Sequence, residues 1–212
     1  IPDGKGSGKK VDGGADDDTL LGSQGADVFL GGAGDDFIFG DNGNDVAFMG
    51  AGDDFAIGGQ GIDAIFGDSG DDWEEGGDQP DLLIGDSSSF FFDDHNTPGH
   101  DILIGQGGDD DYDMEGGDDI GVAGPGVEKV AGAAGYDWEI GLSDPQAQDT
   151  DLAQVFAVGG VILPGVRDKF NEVEALSGGN LNDTLRGDDV VPTDVGGGGF
   201  VGCDALDAPG VA

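Results

Sequence analysis

The sequence predicts an all-β chain built as a parallel β-roll, a β-solenoid of nonapeptide repeats with one loop insertion and a C-terminal capping segment. Three observations predict it. A nine-residue beat runs without interruption from Gly13 to Ile84, in eight units from GGADDDTLL to GGDQPDLLI. Asp fills the sixth position of every unit: Asp18, Asp27, Asp36, Asp45, Asp54, Asp63, Asp72 and Asp81. Gly fills the fourth position in six of the eight. A fixed short period marks a solenoid whose units bury their apolar faces only by stacking.

Each unit divides into a six-residue turn and a three-residue strand with one inward apolar side chain. Two units make one coil, so loops 18 residues apart stack on the same edge. One edge then carries Asp18, Asp36, Asp54 and Asp72, and the other Asp27, Asp45, Asp63 and Asp81. Stacked loops lie about 4.8 Å apart, where aligned carboxylates repel unless a cation stands between them. Calcium suits such a gap, because it accepts roughly 6–8 oxygens, carbonyls as well as carboxylates. Gly, tolerant of positive φ, lets carbonyls turn toward the ion.

Composition supports that reading. There are 46 acidic residues against 7 basic ones, a net charge of −39, with 46 Gly and 8 Pro. Such a balance argues against nucleic acid and anionic membranes as partners. No apolar run approaches the length of a membrane helix. Inward side chains such as Ile38 with Ala47 make a thin core, so metal binding is expected to supply folding free energy. Cys203 stands alone, which excludes an intrachain disulfide and fits an extracellular chain stapled by calcium.

Residues 1–12 read as a flexible basic linker holding Lys5, Lys9 and Lys10; GKGSGKK lacks the spacing of a phosphate loop. The chain starts at Ile1 with no visible signal peptide, and is expected to be a piece of something longer. The roll proper spans 13–140. Within it, the unit opening at Gly85 closes only at Ile104, through an 11-residue insertion at about 86–99 carrying Phe90, Phe91, Phe92 and His95. The aromatic triplet reads as a flank cover or a docking patch, and His100 as a solvated fifth-position residue before Asp101.

The beat then resumes at 105–140 with sixth-position residues Asp110, Asp119, Glu128 and Asp137. Fidelity falls: Glu128 replaces Asp, and Gly121 and Glu139 stand where an inward apolar residue is expected. Calcium affinity is expected to be weakest around Glu128. Trp73-Glu74 and Trp138-Glu139 imply local repacking. Residues 141–177 form a non-repeat capping segment with apolar runs at 152–158 and 161–163. One final unit, GGNLNDTLR with Asp183, falls in 178–190, and 191–212 is a Gly-rich tail or edge segment.

The nonapeptides resemble the repeats-in-toxin (RTX), or haemolysin-type, calcium-binding repeats. DQPDLLIGD, GHDILIGQGGDDDYDMEGGDDIGVAGPGVEKVAG, GYDWEIGLSDPQAQDTDL and RDKFNEVEALSGGNLNDTLRGDD further resemble the calcium-repeat region of large secreted bacterial haem peroxidases of the animal-peroxidase type. The RTX resemblance implies a ligand set. Second- and fourth-position carbonyls of one loop, with its Asp, face first- and third-position carbonyls and the Asp of the loop 18 residues on. One calcium ion would thus lie between Gly32, Gly34, Asp36 and Met49, Ala51, Asp54. Another would lie between Asp41, Gly43, Asp45 and Gly58, Gln60, Asp63. Gly14 and Asp16, Gly31 and Ala33, Gly50 and Gly52, and Gly59 and Gly61 are further carbonyl donors under the same rule. Met49 departs from the family's Gly, with backbone strain the only expected consequence.

The functional expectation is a non-catalytic, calcium-folded structural module of a larger secreted protein with a peroxidase-like parent, its partners being calcium and the rest of that parent. No haem site is expected with only two histidines, and no H-E-x-x-H or G-x-S-x-G appears. The alternative is a calcium-dependent adhesin, surface-layer or filament protein that self-associates through the solenoid ends or the Phe90–Phe92 loop.

Overall fold

In the computed structural model the described residues are 8–86, 99–141, 149–152, 169–171, 173, 175–178 and 180–186. Phe90–Phe92, His95, most of the expected cap, the Gly-rich tail and Cys203 lie outside them. The described residues form a pair of eight-stranded parallel sheets with no helix, a β-solenoid of about seven turns. No helix there is long and apolar enough to cross a membrane.

The chain alternates between the two sheets at each unit. The first contains Lys10–Asp12, Val28–Ala33, Val46–Ala51, Ala64–Ser69, Leu82–Ile84, Asp111–Asp113, Lys129–Ala131 and Lys169–Asn171. The second contains Thr19–Ser23, Phe37–Asn42, Phe55–Gln60, Trp73–Gly77, Ile102–Gln106, Ile120–Val122, Trp138–Ile140 and Ala175–Ser177. Register is the 18-residue coil: Val28 pairs with Val46, and Phe37 with Phe55. Across the insertion Trp73 pairs with Ile102 and Leu82 with Asp111. Both jumps equal one coil plus the 11 inserted residues, so the insertion leaves the ladder in register.

Several strands are longer than three residues. Val28–Ala33 and its neighbours run on into the first three positions of the next unit, which shortens the turns. The first strand, Lys10–Asp12, falls inside the stretch read as a linker. Lys169–Asn171 and Ala175–Ser177 continue the two sheets from within the stretch read as a cap, while Asp149–Asp151 pairs with Thr184–Arg186 in a small sheet of its own.

Alternation along each strand sends the eighth position inward, and the first position too. Phe29, Ile38, Ile65, Leu83, Leu103, Tyr112, Val130 and Phe170 stack between the sheets. The inward first position explains Met49. Its backbone is not left-handed, and its side chain is fully buried among small Ala47 and Ala56. The consequence of this substitution is core filling, not backbone strain. Met114 is buried in the same way, and the space left by the missing side chain at Gly121 is taken by Met114 Cε and, nearer still, by the Glu139 carboxylate.

Candidate metal centres

The sixth-position aspartates do two things with two oxygens. Each Oδ1 accepts the main-chain N–H of the sixth-position residue one coil earlier. On one edge Asp18, Asp36, Asp54, Asp72, Asp101 and Asp119 donate in turn to Asp36, Asp54, Asp72, Asp101, Asp119 and Asp137, at 2.6–3.1 Å. On the other edge Lys9, Asp27, Asp45, Asp63 and Asp81 donate to Asp27, Asp45, Asp63, Asp81 and Asp110. Lys9 therefore occupies a sixth position, in frame with GKGSGKKVD at 4–12, a unit hidden by its missing Asp.

The Oδ2 of Asp27 accepts from the main-chain N–H of Ser23 at 2.7 Å and from its hydroxyl at 3.0 Å, but most of the other Oδ2 atoms do something else. Those of Asp36, Asp45, Asp54, Asp63, Asp72, Asp81, Asp101, Asp110 and Asp119 are buried and accept no hydrogen bond. A buried carboxylate oxygen left without a partner costs free energy, and nine in two rows call for a cation. The first-position glycines make the room: a Cβ on Gly31, Gly40 or Gly58 would stand 2.5 Å from Oδ2 of Asp36, Asp45 or Asp63. The final unit shows the same crowding between Gly178 and Asp183 Oδ2.

Carbonyls of the candidate donor set are at hand. Those of Gly14, Gly31, Ala51 and Gln60 each accept one main-chain N–H, and a carbonyl oxygen keeps a second lone pair for a metal. Gly32, Gly34, Gly43, Gly50, Gly52, Gly59 and Gly61 have positive φ, as do Asp16 and Asp41. Gly58, Ala33 and Met49 lie in extended strands. Among the described residues no three carboxylate, imidazole or thiolate groups converge on one point. A cation here would be held by one or two carboxylates plus carbonyls, the donor chemistry of calcium.

Burial dominates the electrostatics. It pushes Asp45 and Asp54 up to about 7, Asp81 up to about 8 and Asp110 up to about 6, with neighbouring carboxylates adding to the rise and the main-chain donor of the previous coil opposing it. Burial likewise raises Asp72, Asp101 and Asp119 well above the ordinary carboxylate value. A folded-state value raised above the ordinary 3.8 stabilises the roll fully below that value and is lost as pH rises through about 6–8. In chelator, acidification from pH 8 to 5 is therefore expected to raise the β content read by circular dichroism. With calcium present, the same protonation competes with the metal, so calcium affinity falls over that window.

Two features escape the nonapeptide pattern. Fifth-position residues form a ladder of their own, His100, read as solvated, included: Asp35, Asp53, Asp71 and His100 donate main-chain N–H groups to Oδ1 of Asp17, Asp35, Asp53 and Asp71. His100 continues it, its Nδ1 accepting from Asp118 N at 2.8 Å. Glu74 and Glu139 are buried between the sheets, with Trp73 Nε1 donating to Glu75 and Trp138 Nε1 to Ser177. Near Glu128, buried at its sixth position, Lys129 pairs with Asp111.

A family model described as RTX calcium-binding nonapeptide repeat (4 copies) matches residues 12–47, 50–83 and 97–120, together just under half of the chain. No curated protein and no solved structure matches it.

Proposed function

With RTX calcium-binding nonapeptide repeats forming the coils, we propose that the chain is a calcium-folded structural module, non-catalytic in itself, of a larger secreted protein. The carrying observation is the double row of buried, unbonded Asp Oδ2 atoms. Calcium supplies positive charge between stacked carboxylates. The chain's own part is to hold Oδ1 in the main-chain ladder, leave space over each first-position Gly, and offer carbonyls from adjacent loops. Low cytosolic calcium would keep such a chain extended, and calcium outside the cell would fold it. The peroxidase-like parent is supported by the sequence resemblance of residues 78–86, 99–132, 135–152 and 167–189.

The test is small-angle scattering of the full chain. In chelator its radius of gyration is expected near 50 Å, falling toward about 20 Å in millimolar calcium. A compact chain in chelator contradicts the reading. An assembly role is the second reading, favoured by the outer face of the second sheet. There Phe37, Phe55 and Trp73 stack at 5.4 and 5.8 Å, beside exposed Leu21 and Phe39. Calcium-dependent growth of the particle in light scattering supports that reading.

A further inference from the structure

The two edges of the roll are chemically different. At the third position of each turn one edge has Ala15, Ala33, Ala51 and Ser69, and the other has Gln24, Asn42, Gln60 and Asp78. The alternation has the period of the coil, so it belongs to one edge alone. Where this polar edge meets the outer face of the second sheet, a trough of about 300 Å³ opens. Its apolar wall is Phe39 and Ile57, and its polar wall holds the carboxamides of Asn42, Gln60 and Gln106 with the carboxylates of Asp41 and Asp78.

Two of these polar residues sit where the backbone favours Gly. Asp41 has φ 78° and Gln106 φ 67°, second positions that the repeat usually gives to Gly. A side chain is strained in the left-handed region, and the roll accepts the same strain at the second positions Asp68, Glu115 and Ala133, so what sets Asp41 and Gln106 apart is their place beside the trough. Both side chains are held. Asn42 Nδ2 donates to Asp41 Oδ1 at 2.8 Å, and Gln106 Nε2 donates to Glu75 Oε2 at 2.8 Å, Glu75 itself receiving Trp73 Nε1.

We propose that this trough binds a neutral, hydroxyl-rich ligand, a segment of a polysaccharide chain. An apolar wall suits the C–H face of a sugar ring. Carboxamides both donate to and accept from hydroxyls, and carboxylates accept from them. Among the described residues no cation lines the trough, which disfavours anions in a chain of charge −39. Three carboxamides give a cationic ligand little that carboxylates alone would not. The size matches the smaller ligand clefts, about 300 Å³. The inference goes beyond the calcium reading but rests on it, since the trough exists only on assembled coils.

The experiment uses the full chain in calcium, with circular dichroism of every sample separating an unfolded chain from a folded one that fails to bind. Cellohexaose, maltohexaose and laminarihexaose are titrated separately and followed by amide chemical shifts. At least one is expected to bind saturably at the trough, with a Kd between about 10 μM and 1 mM. Phe39→Ala and Gln60→Ala are each expected to weaken it about tenfold or more, and Val28→Ala, on the outer face of the other sheet, to leave it unchanged. Absence of saturable shifts from all three sugars overturns the proposal. So does equal binding by Phe39→Ala and Gln60→Ala, or tighter occupation of the same residues by hexalysine.

Discussion

Asp63→Asn is expected to weaken calcium binding at two sites at once, each by at least about tenfold, or about 1.4 kcal/mol. Asp63 belongs to the loop that faces Asp45 and to the loop that faces Asp81. Asn keeps an oxygen for the N–H of Asp45, which Asp63 Oδ1 accepts at 2.7 Å, but removes the negative charge. Asp63→Ala removes both, leaving a buried N–H unsatisfied at a further cost of about 1–3 kcal/mol. The order of calcium midpoints in an optical titration is thus wild type, then Asn, then Ala. Asp53→Asn is the control: Asp53 is exposed and its ladder acceptor survives. Equal midpoints for Asp63→Asn and Asp53→Asn would place the metal away from the sixth-position oxygens.

Gly61→Ala is expected to destabilise the calcium-loaded roll by about 4 kcal/mol or more, a size reserved for gross steric conflict. Gly61 has φ 141°, and an added Cβ would overlap the carbonyl oxygen of Gly43 in the coil beneath. Backbone in a stacked ladder cannot step aside without opening the coil. Gly14→Ala separates the two causes. Gly14 also has positive φ, 109°, but nothing lies within 4 Å of its would-be Cβ. That substitution is expected to cost about 1 kcal/mol, the conformational share alone. Thermal melts in excess calcium read the difference, and similar melting points for the two variants would contradict the close stacking of loops.

Much of this was legible because the repeat is strict. Asp at every sixth position and the 18-residue coil follow from spacing, and the strand register matches them residue for residue. What the period hides is direction. Gly at the first position has no side chain to show which way it points, so the inward course of Met49 and Met114 is visible only in the packed structure. Hidden too is what a polar residue does with each of its oxygens. The fifth-position aspartates look like solvated surface, yet they accept from the coil above. Lys9 does not announce its unit in the sequence, because that unit lacks the acid that defines the pattern. The carboxamide column of Gln24, Asn42 and Gln60 repeats every 18 residues, a beat lost when units are aligned every nine. Outside the regular coils, where Lys169–Asn171 and Ala175–Ser177 rejoin the sheets, periodicity offers no register at all.

The central claim is that calcium between stacked sixth-position carboxylates folds this chain. A calcium titration of the chelator-treated protein, followed by far-UV circular dichroism with magnesium in parallel, tests it most directly. The account predicts a cooperative coil-to-β transition at about 0.1–1 mM calcium and none with magnesium, which dehydrates reluctantly and demands octahedral geometry. A β spectrum already present in chelator at neutral pH, or an equal response to magnesium, would contradict it.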